Sequence, residues 1–153
     1  MSHDAHLVAD VDGIDRLLAS TRRIAVLGIK TEAQADEAAF QVPKYLVEAG
    51  LDVIPVPVYY PEARTILGRP VYRRLVDVPG DIDLVDVFRR AKDLDAHAED
   101  ILAKRPRAIW LQLGIHNGAF ARRIASAGID VVEDRCLMVE YRRWAHGKAA
   151  ALP

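Results

Sequence analysis

The chain has 153 residues, of which 51% are hydrophobic, and its formal net charge at pH 7 is −1. This length and composition predict one folded domain with a sizeable core and exclude a disordered chain. The near-zero net charge excludes a global field that would attract nucleic acid or an anionic membrane, so a phosphorylated ligand must be met by local cations. The apolar runs are too short for a bilayer-spanning helix.

The amino-terminal residues and the single cysteine bear on the compartment. The first six residues are polar and lack the basic start and apolar core of a signal peptide. Because Cys136 is the one cysteine, an internal disulfide is excluded and a reducing compartment is favoured. We therefore expect a cytoplasmic protein with no nucleic-acid or membrane partner.

Short strands and helical stretches alternate along the chain. The first predicted elements are a helix with Ile14, Leu17 and Leu18 on one face, a strand at 24–29, a helix at 39–49 and a strand from 51 to Pro55 or Pro57. A loop at 59–70, a helical turn at 73–78 and a strand at 82–88 follow. The last elements are a helix that Pro106 ends, a strand at 108–113, a helix at 118–127 that Asn117 caps, and a strand at 129–133. Pro43 is expected in the first turn of its helix, where its missing N–H costs little.

The strands are near-continuous apolar runs, which favours a parallel sheet covered on both faces. Repeated strand–helix units predict an α/β fold that is Rossmann-like and doubly wound, with a mainly parallel five-stranded sheet. We predict a single domain over residues 1–153, with a core at about 22–143 and an amino-terminal helix and tail at 1–20.

The first predicted strand ends in a single glycine, Gly28, followed by Ile29, Lys30 and Thr31. In an open α/β sheet, backbone N–H groups and the next helix N-terminus bind a phosphate at this turn. Lys30 adds a cation, and the Thr31 hydroxyl can donate to a phosphate or cap a turn. The turn indicates a phosphorylated ligand, with a purely structural glycine turn as the alternative.

An ordinary NAD site is disfavoured by two features. Such a site has two further glycines in this turn and an acid after the second strand, which binds ribose hydroxyls. Here the second strand ends in Val56, Pro57 and Val58, and the nearest downstream acid is Glu62. The ligand is therefore expected to carry phosphate without requiring that acid.

Further candidates follow the later strands. Arg89 and Arg90 lie where a pyrophosphate can reach them. His116 has no obvious partner for general-base chemistry, so a loop or capping role is expected. Cys136 follows Arg135, and a structural or partly buried thiol is favoured over a nucleophile. The histidines show no metal-ligand spacing, so no metal site is predicted.

Residues 24–143 resemble the stand-alone CoA-binding proteins of bacteria and archaea, whose fold is similar to the N-terminal CoA-binding domain of the succinyl-CoA synthetase α subunit. The blocks that carry the resemblance are Val-Pro-Lys-Tyr-Leu (42–46), Val-Ile-Pro-Val (53–56), Ile-Leu-Gly-Arg-Pro-Val-Tyr (66–72), Asp-Leu-Val-Asp-Val-Phe-Arg-Arg (83–90), Trp-Leu-Gln-Leu-Gly-Ile (110–115) and Asp-Arg-Cys-Leu-Met-Val-Glu-Tyr (134–141). The resemblance implies a nucleotide-binding, Rossmann-like domain with coenzyme A as its ligand.

The resemblance also implies ligand contacts along the chain. It places the pyrophosphate at Gly28, Ile29, Lys30 and Thr31, the adenosine at Val56 and Pro57, the middle of the ligand at Val87, Phe88 and Arg89, and the pantetheine at Gln112, Gly114 and Ile115. The sequence departs from the family pattern at Pro57, where Asn is common, and in lacking the serine that often follows the first glycine. The missing acid after the second strand fits CoA, since a carboxylate there would repel its 3′-phosphate.

Three functions follow as hypotheses. The first is a non-catalytic module that binds CoA or an acyl-CoA; the chain ends at Pro153 without the phosphohistidine domain that a succinate-type ligase uses, so no ligase activity is expected. The second is an enzyme on the same fold, either NAD(P)-linked or dependent on the Cys136 thiol. The third is a CoA-sensing regulatory subunit. A homodimer, with the tails at 1–20 and 142–153 contributing, is left open as an alternative to a monomer.

Overall fold

Five parallel strands form the centre of the molecule in a computed structural model that describes residues 3–151, with side chains described for residues 4–148. The helices are α1 (Val11–Ala19), α2 (Ala38–Glu48), α3 (Ala98–Lys104), α4 (Gly118–Ala125) and α5 (Leu137–Ala151). The strands are β1 (Arg23–Leu27), β2 (Asp52–Val56), β3 (Thr65–Ile66), β4 (Arg69–Pro70), β5 (Leu84–Val87), β6 (Ala108–Leu111) and β7 (Asp130–Val132). Short 3₁₀ segments lie at His3–His6, Glu32–Gln34, Leu75–Asp77 and Ala91–His97.

The sheet has the order β2-β1-β5-β6-β7, which confirms the predicted five-stranded α/β fold. The chain first winds from β1 to β2 and then crosses to β5 on the other side of β1. The carboxyl ends of β1 and β5 therefore mark the topological switch point, where ligands bind in such sheets. In the sheet register, Leu27 of β1 pairs with Val56 of β2 and Val87 of β5. The residues that follow these three strands therefore lie side by side at the same edge of the sheet.

Alternate side chains of the strands enter two hydrophobic clusters, one on each face of the sheet. One cluster packs the sheet against α1, α2 and the start of α5, with Trp110 and Phe40 among its buried members. The other packs it against α3, α4 and the 3₁₀ turn Leu75–Asp77, with Phe120 and Leu94 at its centre. Both faces are covered, as the continuous apolar strands predicted.

The helix α5 is a difference from the sequence analysis, which expected a tail at 142–153. The chain instead continues as helix from Leu137 to Ala151. Its polar character obscured the pattern: of its side chains described up to Lys148, only that of the first residue, Leu137, is fully buried, while Tyr141 and Trp144 are partly buried against the α1 and α2 side. The loop expected at 59–70 also contains the short antiparallel pair of β3 and β4.

Pro43 lies in the second turn of α2, as its sixth residue, so the prediction of a first-turn proline was wrong. A proline there cannot donate to the carbonyl four residues earlier, which is that of Ala39. The structure satisfies this carbonyl from outside the helix, because the N–H of Lys30 donates to it at 3.1 Å. The irregular position of Pro43 therefore ties the loop after β1 to the first turn of α2.

Gly28 allows the ends of β1 and β5 to meet. Its φ is +87°, and a Cβ built on it would lie 2.3 Å from the carbonyl oxygen of Phe88 and 3.2 Å from Cδ of Arg89. Its own N–H donates to the carbonyl of Val56 at 2.9 Å. A side chain at residue 28 would therefore push β5 away from β1 at the switch point.

Asp86 is a buried carboxyl group in the middle of β5. It pairs in register with Val26 and Trp110 and is 0% exposed. Neither of its carboxylate oxygens has a hydrogen-bond partner in the described structure. Burial raises the pKa of Asp86 well above its usual value, since a carboxylate is poorly solvated there. Asp86 therefore opposes the stability of the core two residues before Phe88.

Replacement of Gly28 by alanine should destabilise the protein by about 2–4 kcal/mol, because it adds a left-handed backbone penalty to a clash with the Phe88 carbonyl. Gly50→Ala is the matched control: Gly50 has a φ of +92° but no atom within 4 Å of a built Cβ. Only the backbone penalty of about 1–2 kcal/mol applies there. Urea unfolding of both variants measures the difference, and equal losses would contradict a steric role for Gly28.

Asp86→Val should raise the free energy of unfolding by about 1–3 kcal/mol, since it removes an unpaired polar group from the core. Asp86→Asn tests the ionisation separately. Because the folded-state pKa of Asp86 is raised, the unfolded chain ionises first, near its ordinary value of about 3.9. The stability of the wild type should therefore fall, relative to Asp86→Asn, as the pH rises from about 4 through the raised pKa.

Urea unfolding of wild type and Asp86→Asn at a series of pH values between about 4 and 8 isolates this group, because the other titrating groups are common to both proteins. Parallel pH profiles would show that the Asp86 carboxyl does not change its ionisation on folding.

Candidate functional site

The carboxyl ends of β2, β1, β5 and β6 form one edge of the sheet, where the residues that follow the strands meet. Gly28, Pro57, Phe88 and Gln112 follow these four strands directly. Two cavities open at this edge, one on the side of α2 and one on the side of α3. The candidate site is built from both.

The α2 cavity has a volume of about 390 Å³, within the range of about 300–1,000 Å³ typical of ligand sites. It contains three cations, an apolar wall and the start of a helix. Its lining residues are Lys30, Ala38, Ala39, Phe88, Arg89, Arg90, Gln112, Leu113, Ile115 and Cys136. A cavity of this composition can bind a ligand with an anionic part and an apolar part.

The N-terminus of α2 contributes the anion-binding end. Ala38 and Ala39, its first two residues, line the cavity, and the preceding Glu37 makes no side-chain bond that would cap the helix. Helix N-termini attract anions through their free N–H groups and the helix dipole. The Lys30 ammonium lies beside them, paired with the Glu37 carboxylate, and this hydrogen bond raises the pKa of Lys30. An anionic ligand would compete with Glu37 for Lys30.

Gln112 also lines the α2 cavity and is 5% exposed. Its Oε1 accepts a hydrogen bond from the N–H of Leu137 at 3.0 Å, which fixes the amide orientation. The NH₂ group is therefore the end that can donate to a ligand carbonyl. Cys136, directly before α5, is partly buried and also lines this cavity.

The α3 cavity has a volume of about 300 Å³ and lies over the ends of β1 and β2. Its lining combines apolar and charged side chains: Leu27, Pro57, Val58, Arg73, Arg74, Leu75, His97 and Asp100. Arg74 forms a bidentate ion pair with Asp100, with N–O distances of 3.0 and 2.7 Å, and this pair lowers the pKa of Asp100. Arg73 donates to loop carbonyls between Tyr59 and Ala63, which holds the loop after β2 in place.

Arg89 connects the two cavities. It lines the α2 cavity, and its Nε donates to Nε2 of His97, which lines the α3 cavity, at 3.1 Å. Its guanidinium carbon lies 5.6 Å from the ring centroid of Tyr59. The hydrogen bond from Arg89 to the Tyr59 hydroxyl, and then the charge of Arg89, lower the pKa of that hydroxyl. The Arg89 side chain is only 14% exposed. A charge so placed can act on ligand groups in either cavity.

The structure brings six of the predicted site residues onto the two cavities: Lys30, Pro57, Phe88, Arg89, Gln112 and Ile115. It places three others, Ile29, Val56 and Val87, in the core with at most 1% exposure. Val56 and Val87, the last residues of β2 and β5, direct their side chains into the cluster on the α3 side of the sheet. Ile29, in the turn after β1, packs into the cluster on the α2 side.

The remaining three predicted residues have structural contacts in the described structure. Gly28 permits the approach of β5, as described above. Thr31 caps the 3₁₀ turn Glu32–Gln34, and its N–H and hydroxyl both lie within hydrogen-bonding distance of Oε1 of Gln34, at 3.1 and 2.9 Å. Gly114 has a φ of +88° and donates its N–H to Asp134 at 2.7 Å. The N–H groups of Lys30 and Thr31 are thus bonded within the protein.

Several cavity residues were not selected from the sequence. Ala38 and Ala39 were detectable as the start of the helix after the glycine turn, and Arg73 and Arg74 as loop cations. His97 and Asp100 carried no local signal, since they lie in the helical segment after β5 and reach the α3 cavity only through the fold. Cys136 was noted for its chemistry, but its place on the α2 cavity was not predicted.

His116 has a partner that the sequence did not reveal. Its Nε2 lies 3.1 Å from Oε2 of Glu133, and its side chain is 70% exposed. The pair lines a separate surface cavity near Leu7 and Arg135, outside the two cavities of the site. Among residues 3–151, no group of His, Cys, Asp and Glu side chains is arranged to hold a metal ion, and no helix there is long and apolar enough to span a membrane.

The chain is similar to known proteins over most of its length. Uncharacterized protein YneT of Bacillus subtilis (strain 168) is 32% identical over 128 residues, which cover 84% of this chain and 91% of that protein. The structure of cell-free ID.343 from Thermus thermophilus is similar with a TM-score of 0.81 at 36% identity, covering 89% of this chain and 99% of that one. A hypothetical protein from Pyrococcus horikoshii OT3 gives a TM-score of 0.79 at 31% identity, covering 90% and 93% of the two chains.

A more distant likeness shows the fold alone. A dinucleotide-forming acetyl-coenzyme A synthetase 1 of Ca. Korarchaeum cryptofilum has a TM-score of 0.62 at 21% identity, over 77% of this chain and 26% of that one. The model of the CoA binding domain family, by contrast, matches residues 22–142, which include all five strands of the sheet and both cavities. This chain therefore belongs to the CoA binding domain family.

Proposed function

We propose that the protein binds coenzyme A or an acyl-CoA as a binding module without a catalytic step of its own. The observation that carries the proposal is the pair of cavities at the switch point, which Arg89 connects. Coenzyme A has a nucleotide at one end, a pyrophosphate in the middle and an extended, largely apolar arm at the other. The two cavities contain charged and apolar groups that suit each of these three parts. Membership of the CoA binding domain family supports the same ligand.

In this proposal the pyrophosphate lies at the N-terminus of α2, beside Lys30 and Arg89. Backbone N–H groups and fixed cations together favour a phosphate there. The pantetheine arm extends along Phe88 and Ile115, and the free NH₂ of Gln112 donates to one of its amide carbonyls. The adenosine occupies the α3 cavity, where Pro57 and Leu27 provide apolar contact.

The electrostatics of the α3 cavity favour CoA over NAD. The residues that follow β2 are Pro57 and Val58, so no carboxylate is present there to bind ribose hydroxyls. Asp100, the acid that lines this cavity, is paired with Arg74. A ribose with a 3′-phosphate is therefore compatible with this end of the site, whereas the free diol of NAD would lack its usual partner.

CoA should stabilise the protein against heat. At a CoA concentration about 100 times the Kd, binding to the folded state contributes about 2.7 kcal/mol, which corresponds to a rise in Tm of about 5–10 °C for a chain of this size. A thermal-shift series with CoA, acetyl-CoA and NADPH measures it. No shift at millimolar CoA would overturn the proposal, and stabilisation by NADPH alone would favour the reductase alternative.

Arg89→Ala should weaken CoA binding by about 10- to 100-fold, because a charge-assisted hydrogen bond contributes about 1.5–3 kcal/mol. The matched control is Arg123→Ala on α4, an exposed arginine that lines neither cavity. Isothermal titration with CoA compares the two variants with wild type. Equal affinities for Arg89→Ala and wild type would remove Arg89 from the proposed site.

The absence of catalysis is tested separately by following thiol release from acetyl-CoA. Turnover of acetyl-CoA would overturn the non-catalytic part of the proposal.

A thiol-dependent activity is the second candidate, favoured by the position of Cys136 on the α2 cavity at the start of α5. Its thiolate would attack the disulfide of oxidised CoA, forming a protein–CoA mixed disulfide and releasing one CoA thiolate, so that no further oxidant is needed. Mass spectrometry after incubation with CoA disulfide detects the adduct. A Cys136→Ser protein should form none, and an unmodified wild type would exclude this activity.

A further inference from the structure

The Arg89 guanidinium contacts an imidazole, a carboxylate and a tyrosine side chain. Its Nε donates to His97 at 3.1 Å, and its Nη2 lies 3.9 Å from a carboxylate oxygen of Asp93. One Nη approaches the Tyr59 hydroxyl at 3.5 Å, and the guanidinium lies over the Tyr59 ring. The bond to His97 is the shortest of these contacts, so it determines the direction of the guanidinium plane.

The hydrogen bond also determines the protonation of His97. A guanidinium carries only donors, so Nε2 of His97 must accept and carries no proton. The neutral ring therefore holds its proton on Nδ1. Partial burial and then the charge of Arg89 lower the pKa of His97, which agrees with a neutral ring.

The charged groups around His97 come from both elements that pack against it. Arg89 follows β5, and Asp93 and Asp100 lie on the same helical segment as His97 and favour its protonation. Arg74, from the 3₁₀ side of the α3 cavity, is paired with Asp100 and offsets that acid. His97 thus lines the α3 cavity together with Arg74 and Asp100, and its Nε2 accepts from Arg89, which lines the α2 cavity.

We propose that His97 is a positioning residue of the ligand site, whose Nε2 accepts from Arg89 and holds its guanidinium at the wall between the two cavities. This inference rests on the proposed function, because it concerns the phosphate-binding cation of that same site. His97 contributes no charge of its own; it directs the charge of Arg89. Without the acceptor, the guanidinium would turn toward Asp93, which would neutralise it.

Substitutions that remove or keep the acceptor test the proposal. His97→Phe keeps a ring but has no acceptor, and should weaken CoA binding by about 5- to 20-fold. His97→Gln can place an amide oxygen near the position of Nε2 and should restore binding to within about 3-fold of wild type, as expected for a retained hydrogen bond. His116→Phe is the matched control, since that histidine is exposed and lies outside both cavities; it should bind CoA as wild type does.

A double-mutant cycle distinguishes positioning from a general loss of structure. If His97 acts through Arg89, His97→Phe should have little further effect in an Arg89→Ala background. Urea unfolding accompanies each variant, so that a folding defect is recognised. Additive losses in binding, or equal losses for His97→Phe and His97→Gln, would overturn the positioning role.

A ligand-free measurement separates this proposal from the proposed function. Long-range ¹H–¹⁵N NMR of the histidine rings should show His97 as the Nδ1–H tautomer at neutral pH, and the Arg89 Nε–H resonance should move in His97→Phe. The Nε2–H tautomer would overturn the geometry whether or not CoA binds. If wild type fails to bind CoA, the proposed function falls; if CoA binds wild type and His97→Phe equally well, only the positioning role falls.

Discussion

The contact between Gly28 and the carbonyl of Phe88 is the constraint on which the site depends. The backbone of β5 occupies the space that a side chain at residue 28 would need, so the ends of β1 and β5 approach each other without a gap. This approach places the stem of Arg89 against Gly28 and sends its guanidinium to the wall between the two cavities. The single glycine of this turn therefore sets the spacing of β1 and β5 at the switch point, where ligands bind in such sheets.

The three cations of the α2 cavity differ in how they are compensated. Lys30 is paired with Glu37, and Arg90 with Asp93, so a ligand phosphate would exchange partners there and gain only the difference between two ion pairs. Arg89 is more buried, and its shorter contacts are with neutral groups, the ring of His97 and the hydroxyl of Tyr59. Its ion pair with Asp93 is long, at 3.9 Å, and the same carboxylate lies nearer to Arg90, at 3.0 Å. The charge of Arg89 is consequently less neutralised than that of Lys30 or Arg90, and in a partly desolvated position it is worth more per contact. The helix N-terminus at Ala38 and Ala39 adds a fixed dipole that needs no rearrangement.

Asp86 shows that stability alone did not shape this core. A carboxyl group without a partner in the middle of a strand opposes folding, and an apolar residue of similar size would fit the neighbours Val26 and Trp110. It lies one residue before Val87 and two before Phe88, on the strand that delivers Arg89 to the site. Costs of this kind are found where a protein trades stability for function. The two hydrophobic clusters, one on each face of the sheet, offset the cost.

The sequence by itself determined the α/β alternation, the parallel sheet and the family, because buried strands are continuous apolar runs and the motif blocks occur in order. It also indicated Lys30, Pro57, Phe88, Arg89, Gln112 and Ile115, since residues that follow parallel strands meet at one edge. It did not distinguish them from Ile29, Val56 and Val87, because whether a side chain at the end of a strand or in the following turn faces the core depends on packing. Only the tertiary structure brought His97 to Arg89, placed Cys136 beside Gln112 and gave the carbonyl freed by Pro43 a donor in Lys30. Cys136 and Gln112 are far apart in sequence, so their proximity depends on the strand order, which no local pattern encodes. The other two contacts each lie within the segment that follows one strand, and they depend on how that segment folds back at the switch point.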